Sequence, residues 1–137
     1  MKKKDIIEKL IELLKNIKQH DKFLDELYDI IAGKSGCEKD LFSELQTQLK
    51  MIYALGISIK DYNGNEILSG AGGIYSIHLK KGSKYNIRIL IKFKNNQSRP
   101  IPYFLTAFEE IGRGRKDKNG YSKNIKIAEE RFKEMEI

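Results

Sequence analysis

Apolar residues recur at three- and four-residue steps through the first 55 positions and at two-residue steps after residue 73, so the chain divides into a helical half and a strand-bearing half. Over 3–19, Ile6, Leu10, Leu13, Leu14 and Ile17 define one face of an amphipathic helix, widened by Ile7 and Ile11. Asp21 is placed to cap a second helix with Phe23, Leu24, Leu27, Tyr28 and Ile31 on its apolar face, ended by Gly33-Lys34-Ser35-Gly36. A third helix is expected over 38–55, with Leu41, Phe42, Leu45, Leu49, Ile52 and Tyr53 inward and Gly56 as its stop.

Asp61-Tyr62-Asn63-Gly64-Asn65 reads as a turn, and Gly70-Ala71-Gly72-Gly73 as a second break. Over 74–79, Tyr75, Ile77 and Leu79 alternate with Ile74, Ser76 and His78. Over 85–94, Tyr85, Ile87, Ile89, Ile91 and Phe93 fall on one side, and Asn86, Arg88, Leu90, Lys92 and Lys94 on the other. Lys80-Lys81-Gly82-Ser83-Lys84 joins the two as a hairpin. Pairing Leu79 with Tyr85 keeps the apolar faces together, sets His78 opposite Asn86 and Ser76 opposite Arg88, and leaves His78 diagonal to Arg88. Ile101 to Phe108 is apolar on both faces, as in a central strand, with Pro102 confined to its start or an edge. After a loop over 112–120, Ser122 is placed to cap a last helix with Ile125, Ala128, Phe132 and Met135 inward. The expected class is α+β: N-terminal helices, an antiparallel sheet of three to four strands, and a C-terminal helix.

Composition narrows the function. With 137 residues, 40% apolar and 33% charged, the chain suits one folded core and neither a disordered nor a membrane-spanning protein. Asp5, Glu8, Lys9 and Glu12 interrupt any apolar export signal after the basic start, so a cytoplasmic location is expected. One cysteine, Cys37, and two histidines, His20 and His78, allow no disulfide and no Cys/His zinc set, so neither metal nor cofactor is expected. The net charge of +7 is unevenly placed: residues 1–56 carry 10 basic and 10 acidic side chains, and 57–137 carry 16 and 9. Between Lys80 and Lys126 the count is 13 basic to 3 acidic, a field that attracts nucleic acid, the ribosome or an acidic protein. A solvated lysine-rich surface is the plainer alternative.

Arg88 stands out as a charge in mid-strand. A guanidinium there can grip a phosphate through parallel hydrogen bonds and stabilise charge in phosphoryl transfer; the bland alternative is a sheet arginine paired with a glutamate. His78 can exchange a proton near neutral pH, or be a half-exposed strand histidine. Lys80, Lys81 and Lys84 suit phosphate contacts at a hairpin tip, although lysines at turns also serve solubility. Tyr121 can stack on a base or meet a leaving group, or simply pack the start of its helix. The glycines over 70–73 lead into a strand and lack phosphate-loop spacing.

Gly73-Ile74-Tyr75-Ser76-Ile77-His78-Leu79, Tyr85-Asn86-Ile87-Arg88-Ile89-Leu90, Tyr103-Phe104-Leu105-Thr106-Ala107-Phe108 and the ending Tyr121-Ser122-Lys123-Asn124-Ile125 through Ala128 and Arg131 stand in one order. Together with Leu55-Gly56 ahead of the sheet, they resemble the RelE/ParE toxin superfamily, in its HigB-like, phage-associated branch. The resemblance implies a RelE-like domain over 37–137, with 1–36 as a helical extension that enlarges the core, covers the basic face or forms a partner surface. It implies a type II toxin that cleaves mRNA, commonly on the ribosome, by metal-free attack of a 2′-OH on the adjacent phosphate. It also implies neutralisation by an antitoxin, with which homo- or hetero-oligomers form. Arg88 matches the family's strand arginine, and Lys80, Lys81 and Lys84 its basic hairpin; Lys92, Arg113, Arg115 and Lys116 extend the phosphate-binding set, and His78 and Tyr121 join Arg88 as catalytic candidates. His78 stands where the family usually has arginine, Ser76 where it often has glutamate, and Glu109 and Glu110 where it is basic or mixed. Those changes suit two rivals: a phage or prophage protein that binds and inhibits a host protein without catalysis, and a gyrase-directed toxin.

Overall fold

The computed structural model of the chain describes residues 1–68, 72–96, 99–110 and 121–136, with backbone alone at 95 and 96. Its elements are α1 (Lys3–Leu14), β1 (Lys18–Gln19), α2 (Phe23–Ala32), α3 (Glu38–Leu55), a 3₁₀ segment (Gly56–Asp61), β2 (Glu66–Ile67), β3 (Ile74–Lys81), β4 (Tyr85–Asn96), β5 (Arg99–Glu109) and α4 (Tyr121–Met135). The fold is α+β. The described sheet has five strands in the order β1-β5-β4-β3-β2, more than the three to four expected. It is also mixed, because β1 runs parallel to β5.

Three layers result. Ile6, Leu10 and Leu14 of α1, Phe23, Leu27 and Ile31 of α2, and Leu41, Leu45 and Ile52 of α3 pack on Tyr75, Ile77, Ile87, Ile89, Ile91 and Phe104. On the opposite face, Ile74, Leu90, Tyr103, Leu105 and Phe108 pack under Tyr121, Ala128 and Phe132 of α4. A bulge interrupts the alternation of β5: Leu90 pairs with Thr106 and Ile91 with Phe104, so Leu105 is the extra residue. The N-terminal helices therefore share one core with the sheet.

Several local expectations are corrected. The first helix stops at Leu14, and Ile17 continues its stripe only by coincidence of spacing. The chain instead turns so that Lys18 and Gln19 pair with Tyr103 and Phe104, hydrogen bonds that the outer edge of β5 would otherwise lack. Ile11 and Tyr53 are exposed, not core. Asp21 does not cap α2: the cap position is Lys22, without a side-chain cap bond, and His20 closes the turn ahead of it, its carbonyl accepting from the Phe23 N–H and its Nδ1 from the Lys22 N–H. Ser122 lies inside the first turn of α4, which begins at Tyr121. Pro100 and Pro102 precede the segment of β5 that pairs with β1, where their missing N–H groups cost nothing.

The β3–β4 register differs by two residues from the expected one. Leu79 pairs with Ile87 and Lys81 with Tyr85, so His78 is directly opposite Arg88, and Asn86 is opposite Lys80. Ser76 faces Leu90, not Arg88. A tight turn decides this, closed by the Lys84 N–H on the Lys81 carbonyl (2.9 Å), with Gly82 at φ +52°. No helix among the described residues is long and apolar enough to cross a membrane.

Candidate functional site

Arg88, His78 and Tyr121 meet on the α4 side of the sheet, each delivered by a different element. Alternation along β4 turns Arg88 away from Ile87 and Ile89, and the register sets His78 of β3 beside it. Tyr121 enters from the first residue of α4, its ring edge-on to Phe108 at 5.3 Å. At the centre stands Glu110, just past β5, whose N–H donates to the Asn86 carbonyl at 2.8 Å.

Glu110 Oε1 accepts from Arg88 Nε at 2.5 Å and from Tyr121 Oη at 2.8 Å. Arg88 Nη1 donates to the Gly64 carbonyl at 2.9 Å, and Ser76 Oγ lies 3.2 Å from Tyr121 Oη. Arg88 is 8% exposed and Tyr121 3%, so both polar groups depend on these partners. Glu110 was the missing member: in the sequence it is only a departure from the resemblance, and no local pattern reveals that it faces Arg88. Glu109, its neighbour, instead pairs with Lys34 at 2.6 Å.

His78 Nε2 lies 2.5 Å from Asn86 Oδ1, a contact that orients the ring. The backbone of His78 is held as firmly: its N–H donates to Asn65 Oδ1 at 2.7 Å, and its carbonyl accepts from Gln48 Nε2 at 3.2 Å. Asn65 in turn binds Gln48 and the Ile59 carbonyl. Gln48 lies on the buried stripe of α3 among Leu41, Leu45, Leu49 and Ile52, and a polar residue there is a sequence signal for such a network. The turn preceding Asn65 has Asn63 at φ +46° and Gly64 at φ +84°, as a hairpin-type Asn-Gly turn requires. A Cβ on Gly64 would stand 2.9 Å from His78 Nδ1, so the position needs glycine on two counts.

The environment sets three charge states. Burial, aided by the Arg88 and Lys80 charges and opposed by the Asn86 and Glu110 contacts, lowers the His78 pKa below the usual 6.5, so the ring is neutral at pH 7. Burial alone would raise the Glu110 carboxyl, but hydrogen bonds from Arg88 and Tyr121 and the Arg88 charge outweigh it and hold it below 4.5. Burial, with Glu110 beside it, raises the Tyr121 phenol and keeps it protonated. The cluster thus offers a cation, a proton acceptor and a proton donor around one carboxylate.

A cleft of about 350 Å³ opens beside it, lined by Glu44, Asn63, Gly64, His78, Lys80 and Gly82. Lys80 lines it and is exposed; Lys84 is exposed at the end of the same turn, and Lys81 is exposed and paired with Asp40 at 2.5 Å. Glu44 fixes this rim by accepting from the Lys80 N–H at 3.1 Å and from the Tyr85 hydroxyl. Lys92 lies apart, its ammonium 4.5 Å over the Phe132 ring near the other end of α4, and does not join the cluster. Arg113, Arg115 and Lys116 lie outside the described residues. No group of three or more potential metal ligands occurs among the described residues. No protein-family model matches the chain, and no curated protein or solved structure does so either.

Proposed function

We propose that the chain is a toxin-type RNA endonuclease of RelE/ParE character, controlled by an antitoxin and acting on mRNA, with the ribosome presenting the substrate. The observation that supports it is the meeting of Arg88, His78 and Tyr121 around the Glu110 carboxylate beside a cleft that Lys80 lines. In this reading the substrate's 2′-OH attacks the adjacent phosphorus and the P–O5′ bond breaks, leaving a 2′,3′-cyclic phosphate and a 5′-OH. Neutral His78 takes the 2′-OH proton, Arg88 offsets the charge developing on the phosphoryl oxygens, and Tyr121 supplies a proton to the departing 5′-oxygen. Lys80, Lys81 and Lys84 hold flanking phosphates.

One observation favours a second reading. Arg88 and Tyr121 are buried and already matched by protein acceptors, as in a structural knot, and a protein-binding inhibitor would need no more than that. Induced expression of wild type and Arg88→Lys in a bacterial host, with growth and mRNA 5′-ends followed together, separates the two. Arg88→Lys keeps the charge and loses the planar fork. Growth arrest with new in-frame 5′-ends in wild type, lost in a soluble Arg88→Lys, is the nuclease result. A soluble wild type that arrests growth without new ends overturns it in favour of the binding protein.

A further inference from the structure

Glu110 presents to Arg88 and Tyr121 what a phosphate would: an anionic oxygen accepting a charge-assisted bond at 2.5 Å and a phenolic bond at 2.8 Å. We propose that the Glu110 side chain is a built-in occupant of the scissile-phosphate subsite, displaced when an RNA phosphodiester binds; this rests on the nuclease reading above. Three observations carry it. The backbone of Glu110 is pinned by its N–H to the Asn86 carbonyl (2.8 Å), so rotation of the side chain alone vacates the subsite. Arg88 is held from its other side by the Gly64 carbonyl (2.9 Å), so the guanidinium stays in place when the carboxylate leaves. The cleft lined by Gly64, His78 and Lys80 reaches the same turn whose carbonyl grips Arg88, which gives a backbone phosphate its approach.

The energetics make the exchange one anion for another. A guanidinium with only 10% of its side chain exposed cannot stand unpaired, so Glu110 cannot swing out unless another anion takes its place. Among the described residues, the groups facing Glu110 are the Arg88 guanidinium, the His78 ring and the Tyr121 hydroxyl, and none of these is a competing carboxylate. The chain therefore binds a phosphodiester at the cost of breaking its own pair, which keeps the site closed to small anions and opens it to RNA anchored elsewhere by the exposed Lys80–Lys84 hairpin. The same glutamate that departs from the resemblance becomes the feature that sets affinity.

The test is titration of folded wild type, Glu110→Gln, Glu110→Asp and Arg88→Lys/Glu110→Gln at fixed ionic strength. The probes are inorganic phosphate and a short 2′-O-methyl oligoribonucleotide, whose blocked nucleophile prevents cleavage. Glu110→Gln is expected to bind both about tenfold tighter than wild type, a change of one decade in Kd. Glu110→Asp keeps the charge but lacks the reach to both donors, and is expected to gain about threefold; it decides the matter if Glu110→Gln does not fold. The double variant is expected to lose the gain. Affinities of the folded single variants within twofold of wild type overturn the proposal. Tighter phosphate without tighter oligoribonucleotide overturns the assignment to RNA. A gain in both, in a protein that produces no new mRNA ends, keeps the displaced-carboxylate site and removes the nuclease.

Discussion

The two faces of the sheet solve the burial problem in different ways. Toward α1–α3 the side chains are mostly hydrocarbon, with Phe23, Leu41, Ile59, Ile87 and Phe104 0–1% exposed and the Gln48–Asn65 pair as a buried polar exception. Toward α4 the same strands also bury Ser76, Arg88 and Thr106, so hydrocarbon contact is interleaved with hydrogen bonds and ion pairs. Arg131 of α4 forks onto Glu26 at 2.7 and 2.9 Å and reaches the Leu105 carbonyl at 2.8 Å. Packing on the first face is tolerant of direction; polar matching on the second fixes where each atom sits. A scaffold with its precision on one side is the arrangement a site needs.

Deleting hydrocarbon from the helical face is the largest expected perturbation. Phe23 packs on Phe104 with ring centroids 5.7 Å apart, and Phe23→Ala is expected to cost about 3–5 kcal/mol. On the α4 face, Tyr121→Phe removes a hydroxyl and leaves the ring on Phe108, an expected cost of about 1 kcal/mol. Urea midpoints measure both. Equal losses would mean that the polar cluster, and not the apolar layer, holds the fold.

Glu110 and His78 give the α4 face a pH dependence of its own, beside that of the lowered Glu38 and Asp40 carboxyls on α3. The folded pKa of Glu110 is lowered, so its contribution is complete above pH 4.5 and is lost as pH falls through the folded value. The folded pKa of His78 is also lowered. For a base this means that the unfolded chain takes up the proton first, so stability is complete above pH 6.5 and declines below it. Both slopes have one sign, and stability rises from acid to neutral. Urea midpoints of wild type, His78→Gln and Glu110→Gln between pH 7 and pH 3.5 separate them. His78→Gln is expected to flatten the curve just below pH 6.5, and Glu110→Gln the limb below pH 4.5. A wild-type midpoint that does not move between pH 7 and pH 5 contradicts the burial of a neutral His78.

How far the sequence reveals this contrast depends on what each feature obeys. The third helix was expected over 38–55 and is Glu38–Leu55, because an apolar stripe and a terminal glycine, Gly56 at φ +56°, act locally. The α+β class follows from the change of period after Gly56. The β3–β4 register does not follow, because sliding one strand by two residues preserves both faces, and only the Gly82 turn distinguishes the alternatives. β1 and β2, two residues each, are too short to carry a period and exist because β5 and β3 offer edges. Arg88, His78 and Tyr121 could be singled out by residue type and placement, whereas Glu110 could not. Its role depends on a carboxylate at the end of β5 meeting a helix that begins at Tyr121, a coincidence in space with no trace in spacing.

The smallest stability effect sharpens the contrast between holding the fold and holding a ligand. Lys81 and Asp40 are paired at 2.5 Å, but each is 46% exposed, so water and salt screen the attraction and two side chains lose freedom to form it. The Lys81–Asp40 hydrogen bond raises the lysine pKa, with the Asp40 charge adding to it, so the cation persists throughout the neutral range. Lys81→Ala is therefore expected to leave the urea midpoint nearly unchanged, and more nearly so at high salt. If the hairpin holds RNA phosphates, the same substitution reduces the slope of log affinity against log salt by about one unit for a 2′-O-methyl oligoribonucleotide. Thermal melting and a salt titration on the same variant read the two effects side by side. A reduced slope at unchanged stability places Lys81 among the phosphate contacts, whereas an unchanged slope assigns its charge to Asp40 and the solvent alone.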